Sequence, residues 1–197
     1  MTVSFMHCCK KLLSRAISLL ALLWLGMAGV QAEGIAVQKA EGRMVGSNYQ
    51  LSVDFDINFN YVVEQALMRG VTLHFISEFN LNRPRWYWFD DVLVESEQTT
   101  RLSYNALTRQ YRIGRGSLFQ NFANLEDALR VLGHQSSTPV PLTALKSESK
   151  HVVSARMRLD ITQLPKPLQV NALTSKEWNL DSDWYSWIVH PNTAGGN

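Results

Sequence analysis

The strongest pattern of apolar and polar positions lies at residues 49–59, YQLSVDFDINF. Leu51, Val53, Phe55, Ile57 and Phe59 alternate with Ser52, Asp54, Asp56 and Asn58. Successive strand side chains point to opposite faces, so this period of two predicts a half-buried antiparallel strand with one apolar and one polar, acidic face. Residues 35–45 offer a partner strand, and Gly46, Ser47 and Asn48 supply the turn between them. A helix is predicted next, over 61–69. Asn60 can cap it, Val62, Val63, Ala66 and Leu67 recur at helical spacing, and Gly70 suits its left-handed stop. Alternation then returns at 71–81, with Val71, Leu73, Phe75, Ser77, Phe79 and Leu81 on one face.

Further along, residues 86–97 read as a strand. Residues 99–104 and 110–114 read as a hairpin around 105–108. A second helix is predicted over 125–132, with Asn124 as cap, Asp127 at the positive dipole end and Gly133 as stop. Residues 135–141, QSSTPVP, read as a polar surface loop. In 151–161, Val153, Ala155, Met157, Leu159 and Ile161 alternate with Ser154, Arg156, Arg158 and Asp160. Pro165 and Pro167 break that pattern. A short strand, 168–173, follows and leads into a Trp-rich end. Residues 191–197 read as a disordered tail. Many short strands with two short helices predict a mainly β fold, an antiparallel β-sandwich in which an immunoglobulin-like arrangement is one option. An α+β sheet with helices on one face is the alternative. The shared core is expected to hold Leu51, Val53, Phe55, Ile57, Phe59, Leu73, Phe75, Val153, Met157 and Leu159.

The amino terminus changes the picture of where this domain works. Lys10, Lys11 and Arg15 precede an uncharged apolar run over 16–30, which closes on Val30, Gln31 and Ala32. This is the plan of a cleavable signal peptide, residues 1–32. The run would rise only about 22 Å as a helix, short of a hydrocarbon core of roughly 30 Å. The expectation is export to the periplasm, no stable membrane span after cleavage, and a single β-rich domain over 33–190. Three of the 19 Lys+Arg and none of the 17 Asp+Glu lie in the leader, so cleavage leaves 16 against 17, a net charge of −1. A near-neutral surface has no long-range pull on phosphate, which argues against nucleic acid as a partner. Both cysteines, Cys8 and Cys9, lie in the leader and ahead of the apolar run. The mature domain therefore has no disulfide, and the cysteines are misplaced for lipid attachment.

Candidate chemistry is sparse. His74, His134, His151 and His190 share no metal-ligand spacing, so no metal or cofactor is expected. No G-x-S-x-G elbow, H-E-x-x-H pair or phosphate-binding glycine loop occurs. The remaining acids are Asp54 with Asp56, Asp90 with Asp91, and Glu95 with Glu97. A glycan-active protein could use two such carboxylates beside sugar-stacking aromatics. Solubilising acids on an exposed sheet face explain them more simply.

The densest feature is NRPRWYWFDDV, residues 82–92, with Trp178, Trp184 and Trp187 later in the chain. Pro84 cannot donate to a ladder, so the strand begins there or lies at an edge. Unbroken alternation puts Trp86, Trp88, Val92 and Val94 on one face, which reads as core. Arg85, Tyr87, Phe89 and Asp91 fall on the other. That mixture of aromatics and charge suits a surface that meets a partner, so these four are the candidate binding residues; no catalytic residue is assigned.

RPRWYWFDD, then RLSYNALTRQYRI, then LEDAL, and later LPKPLQVNALTSKEWNLDSDWYSW resemble the signature of an exported proteobacterial family, domain of unknown function 4390. The resemblance spans almost all of residues 35–190. It implies a signal peptide, a periplasmic or envelope location and no enzyme activity. It also implies a signalling partner, a sensor kinase of the nitrogen type. The functional expectation is a non-catalytic binding or accessory domain of the cell envelope, and the alternative is a glycan-active or glycan-binding protein.

Overall fold

The computed structural model describes residues 34–84, 91–141, 145 and 150–189. The alternation at 49–59 becomes strand β2 (Asn48–Asn58), which pairs antiparallel with β1 (Gly34–Val45) across the Gly46–Ser47 turn. Leu51, Val53, Phe55 and Ile57 are buried, as their period dictates. Phe59 is half-buried and its ring lies parallel to that of Phe75, with centroids 6.0 Å apart. Helix α1 (Tyr61–Met68) follows, and it starts where the cap is. The Asn60 carboxamide oxygen accepts from the Val63 N–H at 3.0 Å, and its amide donates to the Glu177 carbonyl at 2.6 Å. One side chain thus fixes the helix start and ties it to the far end of the chain. Asn60→Ala removes both bonds and should cost roughly 1 to 2 kcal/mol in a urea titration. An unchanged midpoint would show that the cap contributes nothing.

The alternation at 71–81 becomes β3 (Leu73–Arg83), which lies at the centre of the larger sheet. On one side it pairs with β4 (Asp91–Asn105), and on the other with β9 (His151–Leu159). Beyond β4 come β5 (Gln110–Arg115) and β6 (Leu118–Phe122); beyond β9 comes β10 (Tyr185–Val189). The order is β10-β9-β3-β4-β5-β6, all antiparallel. The smaller sheet is β1-β2, extended by β7 (His134–Ser136) and β8 (Val140–Pro141), which both pair with β2. The two sheets form a sandwich-like, mainly β fold. Their buried faces share one core, with Phe75, Phe79, Leu102, Val153 and Met157 from the larger sheet and Leu51, Val53 and Phe55 from the smaller. Strands β3 to β6 run as a plain meander, which is not the strand order of an immunoglobulin domain.

Several sequence expectations are corrected, the first being Val92, which was expected in the core but is 52 % exposed on β4, where the register with β3 shifts between Leu81 and Asn82. Residues 168–173 are not a strand but the body of a third helix, α3 (Lys166–Thr174). Pro167 lies in its first turn, where a missing N–H is tolerated and the fixed φ suits the helix. The prolines that break the β9 pattern therefore start a helix. Residues 86–97 and 99–104 are not separate strands; from Asp91 onward they form the single strand β4, because nothing between Glu97 and Thr99 turns the chain. Strand β6 has no counterpart in the predicted pattern. It follows a two-residue turn with Gly116 at φ +57° and Arg115 opposite Leu118. A Gly-Ser pair between short segments is the sequence signal for it.

Residues 135–141 are not a surface loop. Gln135, Ser137 and Val140 are buried, and the segment is stitched to β2. Leu51 N–H donates to the Ser137 hydroxyl at 3.2 Å, and Ser137 N–H donates to the Leu51 carbonyl at 2.8 Å. Gly133 does end helix α2 (Leu125–Gly133), but not through a left-handed conformation. A Cβ there would stand 2.1 Å from the Phe55 carbonyl oxygen. The glycine is needed because helix and strand backbones meet at that point.

Candidate functional site

Of the four residues proposed from sequence, Arg85, Tyr87 and Phe89 lie outside the described residues, as do Trp86, Trp88 and Asp90. Asp91 opens β4 opposite Arg83 on β3, and its carboxylate accepts from the Arg83 guanidinium. That ion pair closes the β3–β4 hairpin at its end.

Three further carboxylates are also engaged. Asp54 meets the His134 ring at 2.6 Å, across the β2–β7 pair. Asp56 accepts from the Asn58 amide at 3.2 Å. Glu78 accepts from Arg156 at 2.9 and 2.6 Å and from Arg158 at 3.0 Å, at the middle of the larger sheet's polar face. Arg156 also lies over the Trp184 ring, 4.6 Å from its centroid. Glu95 and Glu97 are exposed on β4. Of the late tryptophans, Trp178 is core, Trp187 is half-buried against Tyr185, and Trp184 is exposed. Among the described residues no group of three His, Cys, Asp or Glu side chains could hold a metal ion.

His74 lies on the polar face of β3, opposite Arg101, but it is partly covered. Burial, followed by the Arg101 charge, lowers its pKa below the ordinary 6.5, against a smaller opposing effect of Asp160. The folded state therefore binds this proton less readily than the unfolded chain. Stability contributed by neutral His74 is complete above pH 6.5 and falls as the pH drops below it. His74→Gln should flatten the fall in melting temperature between about pH 7 and pH 5. Equal slopes for both proteins would rule out that linkage.

The surface that the sequence did not single out lies at the β6 end. Residues opposite one another in an antiparallel pair share a face. Arg101 on β4, Gly114 on β5 and Phe119 on β6 form one such row; Ser103, Arg112 and Asn121 form the next. Phe119 lays its ring on Gly114, where an added Cβ would come within 3.1 Å of it. The Arg101 and Arg112 guanidinium carbons each stand 5.7 Å from that ring's centroid. Arg101 donates to the Gly116 carbonyl at 2.9 Å, and Arg112 donates to the Asn121 amide oxygen at 3.0 Å. On the opposite face, Arg115 reaches under α2 and donates to the Val131 and His134 carbonyls at 3.0 and 2.8 Å. Burial lowers its pKa from the ordinary value. None of these three arginines has a carboxylate partner among the described residues.

Between β6 and α2 an open cleft of about 200 Å³ is lined by Ile113, Arg115, Leu118, Phe119, Gln120 and Val131. Leu118 is 76 % exposed and Phe119 61 %. Strand β6 ends the larger sheet, so its outer edge pairs with no strand among the described residues. An unpaired edge with exposed apolar side chains is a template for pairing with another chain.

These features define an antiparallel two-sheet β domain with an open, arginine-flanked strand edge. The model of a family described as a domain of unknown function, DUF4390, matches residues 32–188, and the chain belongs to that family. No curated protein and no solved structure matches it.

Proposed function

We propose that the chain is an exported, non-catalytic binding or accessory domain of the cell envelope, working in the periplasm after removal of residues 1–32, and that the β6 rim is its contact surface. The observation that carries this reading is the exposure of Leu118 and Phe119 on an unpaired sheet edge flanked by Arg101 and Arg112. Apolar side chains ringed by arginine, on an edge with free backbone groups, suit recognition of another chain. The engagement of Asp54, Asp56, Glu78 and Asp91 with neighbouring side chains favours structural roles for these acids over acid–base chemistry. The partner is taken to be an envelope protein, a sensor kinase being the one suggested by the family resemblance.

The test uses the full chain expressed with its leader and carrying a photo-reactive residue in place of Asn121. Irradiation of cells should give a discrete adduct with one envelope protein. The same label in place of Asn179, on the exposed surface elsewhere, should give none. Equal labelling from both positions, or none from Asn121, would overturn the assignment of β6. Fusion of residues 1–32 to a reporter active only outside the cytoplasm tests export separately.

A further inference from the structure

The β6 rim also specifies the chemistry of its occupant. Resting on the reading of β6 as a contact surface, we infer that it takes up an extended acidic segment of a partner protein, which adds to the larger sheet as a seventh strand. Three observations lead there. The edge is open, so a new strand can pair with β6 backbone groups. The two faces of β6 differ. Phe119 and Asn121 share their face with Arg101 and Arg112, while Leu118 and Gln120 share theirs with Ile113 and the cleft. And the rim's arginines, Arg101, Arg112 and Arg115, bond to carbonyls, an amide oxygen and an aromatic face, with no carboxylate in reach among the described residues.

An added strand lies about 4.8 Å from its neighbour, and its side chains alternate between the two faces. On the Phe119 side they fall within the sweep of two long guanidinium groups that can bind carboxylates bidentately. On the other side they meet Leu118 and the mouth of the apolar cleft. The fitting ligand is therefore a strand with acidic residues on one face and aliphatic residues on the other. A second copy of this chain is the competing occupant. Pairing β6 with its own copy would bring two sets of Arg101, Arg112 and Arg115 together, and such like-charge contact is the usual device against edge-to-edge association.

The test uses protein purified after expression of the full chain and short capped fluorescent peptides read by anisotropy. One alternates valine and glutamate, one alternates valine and lysine, and one is the glutamate peptide N-methylated at every second residue. The glutamate peptide should bind at low salt and weaken as salt rises, and the lysine peptide should not bind. The N-methylated peptide should lose about tenfold or more, because it cannot donate to the strand edge. The paired reversal Arg101→Glu with Arg112→Glu should weaken the glutamate peptide by about tenfold and create binding of the lysine peptide. That gain cannot come from a misfolded variant. Equal binding of the glutamate and lysine peptides, or of the methylated and unmethylated ones, would overturn the inference. So would a concentration-dependent dimer in sedimentation that Phe119→Ser abolishes, which would mark the second copy as the occupant. If the peptides fail while the Asn121 label still captures one envelope protein, the contact surface stands and its acidic ligand does not.

Discussion

Phe55→Ala will lower the free energy of unfolding by roughly 3 to 5 kcal/mol in a denaturant titration. Phe55 sits in the middle of β2, opposite Val37 on β1, with its side chain in the core between the two sheets. Truncation removes the transfer free energy of the ring and leaves a cavity. The cavity will close poorly, since its walls are hydrogen-bonded strands on one side and the α2–β2 contact on the other. A control on the opposite face, Asp56→Ala, should change stability by no more than about 0.5 kcal/mol, because that side chain is only half-buried and holds one local bond. A loss below about 1 kcal/mol for Phe55→Ala would mean that the apolar face of β2 is not buried.

Gly133→Ala has the opposite sign from what helix rules suggest. Alanine is better than glycine inside a helix by up to about 1 kcal/mol, so propensity alone forecasts a gain. Here the new Cβ would stand 2.1 Å from the Phe55 carbonyl oxygen. The atom it meets is backbone in a paired strand, so no rotamer change relieves the clash. Helix α2 would have to lift from β2, loosening Ala128 and Leu132, which are both fully buried beneath it. The expected loss is roughly 2 to 3 kcal/mol, the range for forced overpacking. The rise in unfolding rate should exceed any fall in folding rate if this contact forms late. A rise in melting temperature would show that helix and strand do not meet at this residue.

The two substitutions differ in how far they could be foreseen. Burial of Phe55 follows from period-two alternation, which assigns a face without knowledge of the partner. The same local rule was enough for β2, β3 and β9, and cap chemistry was enough for the starts of α1 and α2. In each case the deciding interactions lie within a few residues in sequence. The clash at Gly133 depends on residue 55 of another element, and no local pattern encodes that distance.

The candidate site divides along the same line. Aromatic density at 82–92 drew attention because it is a local feature of composition. Phe119 is one ring in an unremarkable segment. It becomes part of a site only when the meander brings Gly114 beneath it and two arginines, from β4 and β5, beside it. The Gly-Ser turn before β6 is readable in the sequence. The position of β6 at the end of the sheet was not readable, because strand order is set by which faces pack together.

Periodicity along the chain was enough for the antiparallel character and most of the buried faces, since it is a property of adjacent residues. Tertiary structure alone decided three matters. Residues 134–136 and 140–141 became strands because β2 offered them an edge, although their composition favours a loop. Residues 166–174 became a helix because Leu168 and Ala172 could pack against the core from one side of it, Pro167 being tolerated in its first turn. Strand β6 was left with an open side because the chain turns into α2 at residue 125, and α2 packs over β2 and β5 without continuing the sheet. Short apolar segments carry too little pattern to choose between helix, strand and loop, so the surface each one finds makes the choice.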